Sequence, residues 1–339
     1  MSAERQAVLY DFGDSVDRLC TFDLRPPGPT SGYIGRFSMA VRELTGAPLA
    51  LTAAQALHQV DAGSTVVIAT GFCHPERLPS GETDGPPGAA ALAHGVRLGL
   101  QATPLIIGEE AIVAPMQACV TSLNLRWYDD LTMAQRDPYG VAFQAFPTEE
   151  AAARVSAHAL LQQAQPAIIV VTEKVGPNRL GVAHSAMGFA IPAGARSLVE
   201  YLLDAAHVAG LPTIGVGDNG NDMGFGLIED LVRRYKPYGD VCQCPCGGGL
   251  ATVTRVNTLV TAAVANWGAY GIVACLAALR QQPALLHSAA MELQMLDACV
   301  QAGAADGITG RREATVDALP AAVHASIVEL LHALIAKVS

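Results

Sequence analysis

The sequence predicts an α/β fold: a doubly wound, mostly parallel sheet with helices on both faces and a C-terminal helical cover. Apolar runs such as Ser64 to Thr70 and Ala167 to Thr172 are continuous, without the polar alternation of a half-exposed strand, so both faces need covering. These runs alternate with helix-length segments, which is the βαβ order of a parallel sheet. Hydrophobic residues make up 51% of the 339, charged residues 15%, and 33 Gly and 20 Pro supply loops, a profile of a large buried core rather than a disordered chain.

The elements follow in order. Residues 1–60 form an N-terminal helical arm packed on the core, with a Pro/Gly turn at Arg25 to Gly35 and a helix from Phe37 to Leu44. Residues 61–339 form one compact α/β unit. Its strands are expected at Ser64 to Thr70, Pro104 to Ile107, Val141 to Phe146, Ala167 to Thr172 and Thr213 to Val216. Helices are expected at Pro86 to Leu100, Ala111 to Leu123, Glu149 to Gln163, Ala195 to Ala209 and Gly224 to Tyr235. The apolar stretch Asn257 to Leu279 is read as a buried strand and helix, because Asn266, Trp267, Gly268 and Tyr270 interrupt it and no charged flanks orient it as a membrane span. Helices at His287 to Ala302 and Ala321 to Lys337 complete the cover, or else offer a face for a homo-oligomer.

Composition excludes some functions. A formal charge of −10 without a basic stripe argues against nucleic acid as partner, and nothing indicates a membrane partner. Eight cysteines with no signal peptide read as thiols of a reducing compartment, with the cytoplasm as default. Cys242, Cys244 and Cys246 are spaced more closely than the usual zinc pair, and no second cluster accompanies them. They are read as a turn leading into the glycine loop Gly247 to Gly249, with zinc the minor alternative.

Three glycine-rich loops follow strands, where ligands bind in doubly wound sheets. The most informative is TIGVGDNGNDMGFG, Thr213 to Gly226. It presents Asp218, Asn219, Asn221 and Asp222, and two aspartates four apart at the mouth of a strand suit a divalent cation. A helix-capping turn is the plainer reading of such Asn/Asp-rich loops, and it explains the glycines less well. The loop after Thr70 ends in Glu82-Thr83-Asp84-Gly85-Pro86-Pro87-Gly88. Its Glu82 and Asp84 are candidate metal ligands, and the helix N-terminus that follows offers amides to an anion. The loop after Thr172 gathers Glu173, Lys174, Asn178, Arg179 and His184, a mix suited to a polar substrate, with Glu173 and His184 as candidate acid–base groups.

Taken together, TGF at Thr70, ETDGPPGA at Glu82 to Ala89, EKVGPN at Glu173 to Asn178, GVGDNGNDMGFG at Gly215 to Gly226, NWGAYG at Asn266 to Gly271 and DGITG at Asp306 to Gly310 resemble the D-glutamate cyclase family, in its C-terminal cyclase-like domain. The resemblance covers about Thr70 to Pro320. It implies conversion of D-glutamate to 5-oxo-D-proline with loss of water, and some relatives look like manganese-dependent phosphatases. Catalysis would then fall to Glu173, Asp218 and His184, and substrate binding to Thr70, Gly71, Thr83, Gly85, Lys174, Asn178, Arg179 and Asn219. Manganese or magnesium would be held by Glu82, Asp84, Glu173, Asp218, Asn221 and Asp222. One departure, Leu180 to His184 where many relatives carry an Asp-Gly pair followed by Asn and Tyr, bears on substrate identity.

Two other readings compete. GDNGND also resembles the acidic motif of haloacid dehalogenase-type phosphatases, but the nucleophilic Asp-x-Asp is missing. Asp11-Phe12-Gly13-Asp14 has one spacer too many and no apolar strand before it. Metal-dependent hydrolysis of phosphate esters is therefore the second reading, and a non-catalytic small-molecule or metal-binding module the third. In either enzyme reading the partner is a small anionic substrate, an amino acid or a phosphate ester. A dinucleotide-binding oxidoreductase is weaker, since no G-x-G-x-x-G follows the first strand.

Overall fold

The structure is a computed structural model and describes residues 2–338. Seven strands form one all-parallel sheet: β1 (Thr65–Thr70), β2 (Thr103–Gly108), β3 (Arg126–Tyr128), β4 (Gly140–Ala145), β5 (Pro166–Thr172), β6 (Thr213–Gly217) and β7 (Thr258–Thr261). Their order is β3-β4-β2-β1-β5-β6-β7. The short β3, absent from the sequence reading, pairs with β4 at one edge and is only half-buried, so its Arg-Trp-Tyr lacks the apolar run that marks the inner strands.

The chain winds outward from β1 through β2, then returns to place β5 on the other side of β1. Parallel crossovers are right-handed, so the helix leaving β1 and those joining β4 to β5 and β5 to β6 cover opposite faces. The first is α4 (Pro86–His94), continued by a π-helical turn over Gly95–Leu100; the others are α7 (Glu150–Ala164) and α8 (Glu200–Val208), which pack on each other. On the α4 side the central helix is α10 (Ala265–Arg280), buried along nearly its whole length. Its glycines permit that depth: a Cβ on Gly268 would lie 2.6 Å from Val216 Cγ1, and one on Gly271 would lie 2.9 Å from Cys20 Sγ.

The N-terminal residues form α1 (Ala3–Cys20), α2 (Ile34–Thr45) and α3 (Leu49–His58). Their apolar side chains, among them Phe12, Val16, Phe37 and Leu57, belong to the same hydrophobic cluster as the sheet. Asp17 ties two of them together: its carboxylate accepts from the amides of Leu49 and Ala50 at 2.7 and 3.0 Å, capping α3 from within α1. At the other end, α11 (Ala289–Gln301) and α12 (Ala321–Ile335) form the C-terminal cover on α10. A buried polar network fastens it. Trp267 Nε1 donates to His324 Nδ1 at 2.8 Å, and the Tyr270 hydroxyl donates to Glu292, which also holds His287 at 2.8 Å. Among the described residues no helix is long and apolar enough to cross a membrane; the stretch from Asn257 onward is β7 followed by α10.

Candidate functional site

The switch in winding direction falls between β1 and β5, and β6 adjoins β5, so the carboxyl ends of three neighbouring strands open together. The glycine-rich loops after Thr70, Thr172 and Gly217 leave from those ends and meet over a cavity of about 660 Å³. Its floor carries Glu82, Glu173, Asp317, Asn219 and Asn221; Phe72, Leu78 and Phe189 make apolar walls. His74 and Arg77 lie at the solvent side, and Pro26 to Thr30 of the N-terminal segment close another wall.

Backbone geometry places these groups. Glu173 terminates β5 with φ 44°, a left-handed conformation costly for a side-chain-bearing residue, and its Oε2 is buried without a protein partner. Gly85, at φ 103°, lets the chain pass behind it, since a Cβ there would lie 3.1 Å from Glu173 Cβ and 2.8 Å from Thr70 Oγ1. In the β6 loop Asp222 Oδ2 accepts from the amides of Asp218 and Asn219 at 3.0 and 3.2 Å. Its other oxygen, Oδ1, is buried and unpartnered, as is Asn221 Oδ1. Gly217 admits this arrangement, because a Cβ would fall 2.5 Å from Asp222 Cβ.

Six buried carboxyls converge here: Glu82, Asp84, Glu173, Asp218, Asp222 and Asp317. Glu173, Asp218 and Asp222 bring one oxygen each within 4.8 Å of one another, and so do Asp84, Asp218 and Asp317. Burial, then mutual repulsion, pushes Glu82, Glu173 and Asp317 far above the usual carboxylate range. Asp218 is also raised by burial, but Arg25 opposes the shift and it settles at about 8. The Arg25 guanidinium, fully buried, donates to Asp218 at 2.5 Å and to Asp23 at 2.9 Å, and lies 3.7 Å from Asp317. Lys236, brought down to about 7 by burial, donates to the carbonyls of Pro29 and Ala186 at 2.6 and 2.8 Å, joining two cavity walls.

Several groups expected at the site have other partners. The Lys174 ammonium is buried in an ion pair with Glu109 and also donates to the Gly71 carbonyl at 2.9 Å, so it anchors the β1 loop rather than facing the cavity. Arg179 is half exposed and pairs with Glu229 and Asp230 on the surface. Asn178 latches its own loop, donating to the Gly249 carbonyl at 2.7 Å. The His184 ring turns away to Cys244 and Cys246, with Nε2 at 3.3 and 3.5 Å from their sulfurs. The amides of Gly85 and Gly88 do not await an anion, because Asn266 Oδ1 accepts both at 3.0 and 2.7 Å. Asp84 caps α10, accepting from Ala265 and Asn266, instead of capping the helix that follows it. Thr83 donates to the Thr315 carbonyl at 2.7 Å; Thr70, Gly71, Thr83 and Gly85 all stand behind the cavity wall.

Arg25, Glu109 and Asp317 escaped the sequence reading. Arg25 stood inside a Pro/Gly turn and Asp317 in an unremarkable stretch. The signal available was Asp306-Gly307: Asp306 accepts from the amides of Ile308, Thr309 and Ala318, setting the loop that carries Asp317, while Gly307 lets Glu82 approach closely. Asp11 and Asp14 lie on α1, where Asp14 pairs with Arg18 and Arg42, so neither belongs to the cavity.

Residues 38–332 match the family described as D-glutamate cyclase-like, C-terminal. The chain belongs to the D-glutamate cyclase-like family. It is also similar to the Homo sapiens protein named D-glutamate cyclase, mitochondrial, with 29% identity over 264 residues. That similarity takes in 76% of this chain and 38% of the human one, so the chain spans well under half the length of that relative.

The donor set of this cyclase-like chain fits a hard divalent cation. The ligands at hand are oxygens, and the unpartnered Asp222 Oδ1 and Asn221 Oδ1 are the kind of buried atom that a cation would satisfy. Arg25 and Lys236 are too few to balance the six carboxyls. A pH signature follows. Asp218 is raised in the folded chain, so without a cation its contribution to stability is fully present below its unfolded value near 4 and is lost as pH rises through about 8. Manganese, competing with those protons, is expected to raise Tm much more at about pH 8 than at about pH 5, with about 2.7 kcal/mol available at hundredfold excess over Kd. Equal shifts at both pH values, or none, would contradict a carboxylate cation site.

Proposed function

We propose that the chain is a lyase of the D-glutamate cyclase type, closing D-glutamate to 5-oxo-D-proline with loss of water at the cavity over β1, β5 and β6. What carries this reading is the set of cavity-facing carboxyls with raised affinity for protons, Glu82 and Glu173 above all, in a chain of this family. Lactam formation needs a neutral amine, an electrophilic γ-carboxyl and a proton for the departing oxygen. A carboxyl that stays protonated near neutral pH can give that proton, and its conjugate base can take one from the substrate ammonium. Glu173 has the free oxygen and the position for both tasks.

Arg77 and His74, on the solvent side, are placed to receive a substrate carboxylate. The apolar walls Phe72, Leu78 and Phe189 lower the local dielectric, which strengthens each polar contact. A divalent ion held by Asp218 and Asp222 with Asn221, leaving Glu173 free to carry the proton, would supply Lewis-acid polarisation of the γ-carboxyl. Holding amine and carboxyl in a reactive pose adds an effective molarity of about 10⁵–10⁸ M.

The test is direct. Metal-stripped protein, resupplied with manganese or magnesium, is incubated with D- and L-glutamate, and 5-oxoproline is resolved by chiral chromatography. Product from the D enantiomer, dependent on metal, is the expected result. Absence of product from either enantiomer, with turnover of a phosphate ester, would replace this reading by the phosphatase one.

A further inference from the structure

Away from the carboxylate floor, four ligand-type side chains meet that the reaction does not use. Cys242, Cys244, Cys246 and His184 bring their sulfur and ring-nitrogen atoms within 4.8 Å of one another. Cys242 Sγ lies 3.5 Å from Cys244 Sγ and 3.3 Å from Cys246 Sγ. His184 Nε2 lies 3.3 Å from Cys244 Sγ and 3.5 Å from Cys246 Sγ. A zinc tetrahedron with bonds of about 2.3 Å to sulfur and about 2.0 Å to nitrogen has edges of about 3.8 Å and about 3.5 Å. The observed edges need only a few tenths of an ångström of expansion to take the ion. The sulfur pairs are well beyond the bond length of a disulfide, about 2.05 Å.

We propose that His184, Cys242, Cys244 and Cys246 form a closed Cys₃His zinc site that fastens a wall of the substrate cavity. The missing partner of the cysteine run is thus the histidine sixty positions before Cys244, on the loop after β5. Four protein ligands leave no position for substrate, so the site is structural rather than catalytic. Neutral hydrogen-bond donors support one of the sulfurs as a thiolate: the Gly248 amide reaches Cys246 Sγ at 3.4 Å and Asn178 Nδ2 reaches it at 3.7 Å.

The position of the site gives it a purpose. Ser185, Ala186, Met187 and Phe189, following His184, line the cavity. The cysteine loop already grips them, since Gln243 donates through its amide to the Gly188 carbonyl at 2.8 Å and through its side chain to that of Met187 at 2.7 Å. The His184 carbonyl in turn accepts from Asn221 Nδ2 at 3.0 Å, aiming the unpartnered Asn221 Oδ1. Zinc would lock this wall and, through Asn221, the edge of the carboxylate floor.

The experiment uses the full chain purified under reducing conditions without chelator, with metal content measured by mass spectrometry. About one zinc per chain is expected, retained through an EDTA wash that removes manganese and released by a thiol-blocking mercurial. Cys244→Ser and His184→Gln should each lower bound zinc to below about 0.1 per chain. Cobalt(II) added to the zinc-free unmodified chain should give thiolate charge-transfer absorption and the strong visible bands of a tetrahedral ion, a readout that does not depend on the variants folding. None of these measurements requires turnover, so silence with glutamate leaves them unaffected. A zinc-free chain that binds cobalt(II) without thiolate absorption, iron or copper in place of zinc, or an intact mass lower by two hydrogens from a disulfide would overturn the proposal.

Discussion

Glu173→Gln is expected to lower kcat for lactam formation by about 10²–10⁴-fold, the range a positioned general acid–base group supplies. Burial and the neighbouring carboxyls raise Glu173 far above the ordinary glutamate range, and its Oε2 has no protein partner. Glutamine keeps the shape and removes the transferable proton. The same change removes the cost of keeping a buried carboxyl protonated near neutral pH, so Tm of the metal-free chain should hold or rise while activity falls. Loss of rate with KM little changed separates a chemical role from a positional one. A variant turning over at the unmodified rate would remove Glu173 from the chemistry.

At about pH 9, where Asp218 is ionised, Arg25→Met should destabilise the metal-free chain by about 3–5 kcal/mol, the usual consequence of stripping one partner from a buried ion pair. Arg25 is fully buried, and it is the only guanidinium touching Asp218 and Asp317 among the described residues. It also ties the 25–30 segment, a wall of the cavity, to the β6 loop. Asp218→Asn added to Arg25→Met should recover part of the loss, because the abandoned charge is then gone; chemical denaturation of the two single variants and the double variant closes the cycle. A loss below about 1 kcal/mol at that pH would mean that Asp218 gains nothing from Arg25. Arg25 stands outside the matched residues 38–332, so this dependence joins the N-terminal segment to the family's core.

What the sequence makes legible is local. Continuous Val/Ile runs announce β1, β5 and β6 because a strand covered on both faces has no polar side, and glycine-rich turns mark their ends. Those two signals suffice to bring the Glu82, Glu173 and Asp218 loops to one end of a sheet. Side-chain partners are another matter. Lys174 and Glu173 are neighbours in the chain, yet opposite orientations at the strand end send the lysine to Glu109 and leave the glutamate at the cavity. Asp84 and Asn266, 182 positions apart in the chain, exchange capping duties between two helices, a pairing no local pattern contains. His184 read alone suggested acid–base chemistry, and the cysteines read alone suggested a turn. Only the packing of the two loops joins them.

Asp218, Asp222 and Asn221 form a cation site beneath the cavity floor, beside the Glu173 carboxyl. Manganese titration followed by electron paramagnetic resonance separates bound from free ion and reads this site without turnover. The expected result is a saturable site in the unmodified chain, its spectrum perturbed by D-glutamate, and loss of that site in Asp222→Asn with the Cys₃His metal retained. Unchanged manganese binding in Asp222→Asn, or no saturable site in the unmodified chain, would contradict it.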